Sequence, residues 1–144
     1  MATDHAAILI GRHIMQVEES ALHVHWVGDH TLEEQQQIYA RIRAYLAERG
    51  TALLLFDLTQ AGTLTAEHRR ASADWWRRQE LDSIALAHYG LSRTALVFTS
   101  LIQRAVELLT RSQAIVGNFR TEAEARAWLA SIQGRLRAKK SAWP

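Results

Sequence analysis

Apolar residues recur along this chain with two different periods. From Leu22 to Val27 they alternate: Leu22, Val24 and Trp26 fall on one face, His23, His25 and Val27 on the other. A period of two marks a β-strand with distinct faces. The stretch Ile14–Glu18 reads the same way, a tight turn at Glu19–Ala21 joins the two as a hairpin, and Gly28–Asp29–His30 ends it. The period then changes. Ile38, Tyr39, Ile42, Tyr45 and Leu46 recur at three- and four-residue spacing, between a capping box at Thr31 and Glu34 and a stop at Gly50, which predicts a helix laid on a core. Ala52–Phe56 is apolar throughout and closes on Asp57, the pattern of a buried, parallel strand.

Beyond it, Thr59–Thr63 reads as a loop, and Thr65 caps a helix over about Ala66–Gln79. On that helix Leu64, His68, Ala71, Ser72 and Trp75 cluster on one side with Trp76 at the rim, while Arg69, Arg70, Arg77 and Arg78 take the opposite half. Leu81–Leu91 fits either a helical continuation or an irregular crossover. Thr94–Thr99 predicts a second buried strand, Ser100 with Gln103 opens a helix over Leu101–Arg111, and Ile115–Phe119 predicts a short strand. A third capping box, Thr121 with Glu124, opens a helix whose Ala125, Trp128, Leu129, Ile132 and Leu136 share a face. The order β-β-α-β-α-β-α-β-α predicts one α/β domain. Its expected build is a mostly parallel sheet of four to five strands, an N-terminal antiparallel hairpin and four helices. The domain is expected over 14–138, with 1–13 an N-terminal segment and 139–144 a basic tail.

That order, together with the run TLEEQQQIYARIRAYLAERGTALLLFDLT and the ending NFRTEAEARAWLASI, resembles the STAS fold of anti-sigma-factor antagonists over roughly residues 14–133, and its SpoIIAA-like, CRAL-TRIO-related branch in particular. The resemblance implies a regulatory domain that works by docking a partner. Phosphorylated members of the fold carry an Asp-Ser-Ser-Gly run before the second helix. This chain has DLTQAGTLTAEH there, with no Ser between Asp57 and His68, and Thr63 and Thr65 are the hydroxyls near that place.

Composition narrows the chemistry. The chain has 144 residues, 48% hydrophobic and 22% charged, with a net charge of +2. Without cysteine it has no disulfide, thiolate metal site or cysteine nucleophile. No apolar run is long enough to span a membrane, and the start lacks a basic signal-peptide region, so a cytoplasmic protein is expected. The cations are 15 Arg and 2 Lys, spread over polar helix faces beside acids, except for Arg135, Arg137, Lys139 and Lys140 near the end. That balance gives no expectation of nucleic-acid binding.

The first candidate site is the strand-to-helix connection, with Asp57, Thr59, Gln60, Thr63 and Thr65, because ligands of open α/β sheets gather at the carboxyl ends of strands and a helix N-terminus favours anions. Trp76 flanked by Arg69 is a candidate partner contact. His23 and His25 share a strand face and could hold a metal with His30 or Asp29, but the alternation already explains them as the wetter face of a hairpin, so no metal and no cofactor are expected. No nucleophile elbow, paired carboxylate or glycine-rich phosphate loop is present, which predicts a non-enzymatic protein. The expected function is docking of a protein partner or small ligand, with lipid or hydrophobic-molecule binding as the alternative. A homodimer through the hairpin edge is compatible with the sequence.

Overall fold

The computed structural model describes residues 6–79, 84–92 and 115–141, with backbone alone from 135 onward. Six strands form one mixed sheet in the order of the chain: β1 (Ala7–Ile10), β2 (His13–Val17), β3 (Leu22–Gly28), β4 (Ala52–Ala61), β5 (Ile84–Tyr89) and β6 (Ile115–Asn118). β1, β2 and β3 are antiparallel neighbours, whereas β3, β4, β5 and β6 run parallel. Three helices are described: α1 (Leu32–Arg49), α2 (Ala66–Arg77) and α3 (Glu122–Ser141).

The α/β class is as the periodicity predicts, and the details differ in two places. Among the described residues the sheet has six strands instead of four to five: Ala7–Ile10, set apart in the N-terminal segment, pairs along β2 from Ala7↔Gln16 to Ile10↔His13. Ile84–Tyr89 is a strand where the sequence suggested a helix or a crossover; its alternate residues serve cores on both faces of the sheet, which erases the two-residue period. The expected strand Thr94–Thr99, the fourth helix at Leu101–Arg111 with its Ser100–Gln103 cap, and the side chains of the basic tail lie outside the described residues.

The helix starts are built as read. Thr31 accepts from the Glu34 backbone N–H at 3.0 Å while the Glu34 carboxylate accepts from the Thr31 N–H at 2.9 Å, and Gly50 closes α1 in the left-handed conformation. Thr65 caps α2, and the Thr121 hydroxyl accepts from the Glu124 N–H at the head of α3.

The sheet separates two cores. On one face Val24, Leu54, Phe56 and Leu86 meet Ile38, Tyr39, Ile42 and Tyr45 of α1; on the other Leu53, Leu55, Ala85 and Ala87 meet Ala125, Leu129 and Ile132 of α3. α2 buries no residue fully. It is held by Trp75, stacked on Tyr39 with ring centres 4.7 Å apart, and by a Tyr39–Ser72 hydrogen bond of 2.7 Å. Leu54→Ala should therefore cost about 2–5 kcal/mol in urea denaturation. Trp75→Ala should act locally, speeding hydrogen exchange in α2 while the amides of β4 keep their protection.

Candidate functional site

β4 does not stop at Phe56. It continues beside β3 to Ala61, so Thr59 and Gln60, expected in a loop, are strand residues. The pairing jumps from His25↔Asp57 to Val27↔Gln60, which puts one extra residue into β4. Asp57 fills the gap this bulge makes in the hydrogen-bond ladder: its Oδ1 accepts from the Thr59 N–H at 2.9 Å and the Thr59 hydroxyl at 2.6 Å. The true link to α2 is 62–65. Gly62 is seated so close to Gly28 and Asp29 that a Cβ there would strike their backbone, and it donates its N–H to the Gly28 carbonyl at 3.0 Å. The Thr63 N–H donates to Asp29 Oδ1 at 2.8 Å.

The sequence-predicted residues therefore divide. Asp57 and Thr59 belong to the bulge, Gln60 is exposed on the strand, and Thr63 is exposed on the link. The Thr65 hydroxyl is occupied by His68, through its N–H and its ring Nδ1. Arg69 donates to the Leu64 carbonyl at 2.9 Å, bracing the link. Trp76 lies away from all of these, half-buried with its ring edge-on to Trp75 at 4.8 Å.

A second constellation lies on the α3 face of the sheet. His23 is buried, so this is not the wetter side of a hairpin: Tyr89 of β5 and the head of α3 close over it. His23 Nδ1 stands 2.8 Å from Glu18 Oε1 and Nε2 2.7 Å from the Tyr89 hydroxyl; that hydroxyl donates to Glu122 Oε1 at 2.9 Å. Arg126 completes a ring, with 2.7 and 3.0 Å hydrogen bonds to Glu18 and a 3.4 Å ion pair with Glu122. Beside it His25 Nδ1 meets Asp57 Oδ2 at 2.7 Å, and the two imidazole rings lie 4.0 Å apart. An open depression lined by Ile14, His25, Val27, Asp57 and Gln60 exposes this end.

The electrostatics follow from these contacts. Hydrogen bonds from Arg126 hold the Glu18 carboxyl at about 2, against an ordinary value of 4.5. Burial pushes His23 below the usual histidine range, opposed by Glu18. Burial works against the charge on Asp57, but the Thr59 hydroxyl and N–H hold its carboxyl below the usual range. His88, on the other face of β5 and bonded to Asn118 at 3.0 Å, is pushed by burial down to about 4.

Sequence reasoning missed Tyr89, Glu18, Glu122 and Arg126, because no local pattern brings the end of a hairpin to a helix more than 100 positions away. It also missed buried His13 and Gln35. For these a signal exists: His13 alternates with Met15 and Val17, and Gln35 precedes Ile38 and Ile42 on the helix stripe. On that face Gln35 accepts from His30 at 2.9 Å and donates to the His68 carbonyl at 3.2 Å, and the His30 and His68 rings are 4.5 Å apart.

The depressed Glu18 carboxyl fixes the sign of an acid response. The stability it contributes is complete above about pH 4.5 and is lost as pH falls towards 2. Across that window the melting temperature of the wild type should fall more steeply than that of Arg126→Ala.

A comparison with curated proteins returns no match. A scan against protein families matches the SpoIIAA-like family model over residues 21–130, from the start of β3 into α3, which is more than half of the chain and includes β3, β4 and the link. The chain belongs to the SpoIIAA-like family.

Proposed function

We propose that this chain is a non-enzymatic regulatory binding domain that docks a protein partner, or a small ligand, through the link between β4 and α2. The family supports a regulatory domain of the STAS type, and STAS-like domains commonly bind proteins and are in general non-enzymatic. The observation that carries the choice of surface is Leu64. It is 51% exposed, one of two large apolar side chains left in solvent among the described residues, and it stands at the head of a helix. Exposed Gln60 and Thr63 flank it, and the Gly28–Gly62 and Asp29–Thr63 hydrogen bonds fix its backbone. An apolar anchor on a pre-shaped link, ringed by polar donors, has the make-up of a docking point.

The two hydroxyls of the link differ in this reading. Thr65 spends its oxygen on the cap of α2, whereas the Thr63 side chain is free to face a partner or a modifying enzyme. A hydrophobic molecule seated between α1 and α2 would have to break the Tyr39–Trp75 stack. Among the described residues no helix is long and apolar enough to cross a membrane.

Proteins retained by the immobilised chain from lysate of its source, identified by mass spectrometry, test the surface. Leu64→Ser and Thr63→Ala should melt within about 0.5 kcal/mol of the wild type, as exposed substitutions do, yet lose the retained partner. Unchanged retention by both variants places the docking surface elsewhere. Native mass spectrometry of the same preparations separates the small-ligand reading, which requires a bound mass on the wild type.

A further inference from the structure

His23, His25 and Asp57 each offer one nitrogen or oxygen, and these atoms all lie within 4.8 Å of one another. The three residues stand on two hydrogen-bonded strands, with His25 opposite Asp57 in the register. Their spacing is therefore set by the sheet, which suits a preorganised site.

Both ring nitrogens of His23 are engaged: Glu18 Oε1 at 2.8 Å and the Arg126 guanidinium at 3.3 Å lie at Nδ1, and the Tyr89 hydroxyl lies 2.7 Å from Nε2. Next to it, His25 Nδ1 and Asp57 Oδ2 share one proton at 2.7 Å. Three carboxylates, Glu18, Asp57 and Glu122, surround the two rings against the single guanidinium of Arg126. Local charge favours a cation at this point.

We propose that His23, His25 and Asp57 bind a divalent transition-metal ion of the zinc type. Two imidazoles and one carboxylate are the donor set such an ion prefers, and a softer one than calcium or magnesium takes. The supporting contacts match those of histidine metal sites. Glu18, 2.8 Å from Nδ1 of His23, orients the ring, and an ion at Nε2 takes the place of the Tyr89 hydroxyl that now stands 2.7 Å from it. Thr59 engages Asp57 Oδ1, which leaves Oδ2 for the ion. On binding, the ion takes the place of the proton shared by His25 and Asp57, and that proton leaves to solvent. Three protein ligands leave a further position, and the depression lined by Ile14, Val27 and Gln60 opens it to water or to a donor atom of a bound molecule. The site lies on the α3 face and is independent of docking through the link.

Isothermal titration of the chelator-stripped full chain with zinc sulfate tests the proposal, with cobalt(II) chloride as a visible-absorption probe. One zinc per chain is expected, with affinity at least about tenfold weaker in His25→Ala and in Asp57→Asn. His68→Gln, in the other histidine cluster, should bind as the wild type does. A folded wild type that takes up no zinc overturns the proposal, as does wild-type affinity in both ligand variants or loss of binding in His68→Gln. A second reading needs no variant: the ring ¹⁵N resonances of His23 and His25 should move on adding zinc to the wild type. Ring resonances that do not move at saturating zinc overturn the proposal.

Discussion

A buried imidazole has to satisfy two ring nitrogens on opposite edges, and His23 does so only by drawing separate parts of the chain together. Glu18 comes from the turn after β2, Tyr89 from the end of β5, and Glu122 and Arg126 from the first turns of α3. If Glu18 or Tyr89 is withdrawn, a ring nitrogen of the buried His23 loses its partner, at a cost of about 1–3 kcal/mol. This ring therefore sets where α3 crosses the sheet. The apolar contacts of Ala125, Leu129 and Ile132 with Leu53, Leu55 and Ala87 give α3 its attraction to that face, but such contacts are non-directional. The hydrogen-bonded ring supplies the direction.

The same reasoning explains which parts of the molecule were legible in the sequence. Elements set by short-range rules were readable: α1 announces itself through Thr31, Glu34 and Gly50, and the end of the chain through Thr121 and Glu124. β5 was not, because IALAHY is apolar on both faces and has no alternation to read. β1 was missed because Ala7–Ile10 is too short to show a period, and its strand character comes from its partner. The candidate site was half legible. Asp57 stood out at the end of an apolar run, and the pairing of His23 with His25 on one face was clear. What was invisible was the register that sets Asp57 opposite His25, since register belongs to two strands and to neither alone.

The two surfaces singled out here divide the labour in a way the family resemblance does not. Phosphorylated STAS proteins place their regulatory serine in the connection before the second helix. In this chain Thr65 stands close to that place but caps α2, and the exposed hydroxyl falls on Thr63. The link keeps its shape through Gly62 and Asp29, with no phosphoryl group needed to fix its backbone. The α3 face, by contrast, sets His23 and His25 beside the carboxylates of Glu18, Asp57 and Glu122. A small domain thus has an apolar contact at one place and a polar, charge-hungry one at another.

The described strands lie in the sheet in the order in which they are made. Each pairs with the described strand before it, so the sheet grows outward from the hairpin. One face follows the same schedule, since α1 arrives directly after β3. The other, among the described residues, is covered by α3, which comes last. During synthesis on the ribosome, the contacts of His23 stay incomplete until Glu122 and Arg126 have emerged. Its polar ring then closes as a final latch. A chain truncated before α3 would lack the helix that covers Leu53, Leu55 and Ala87, a form suited to recognition by chaperones and proteases.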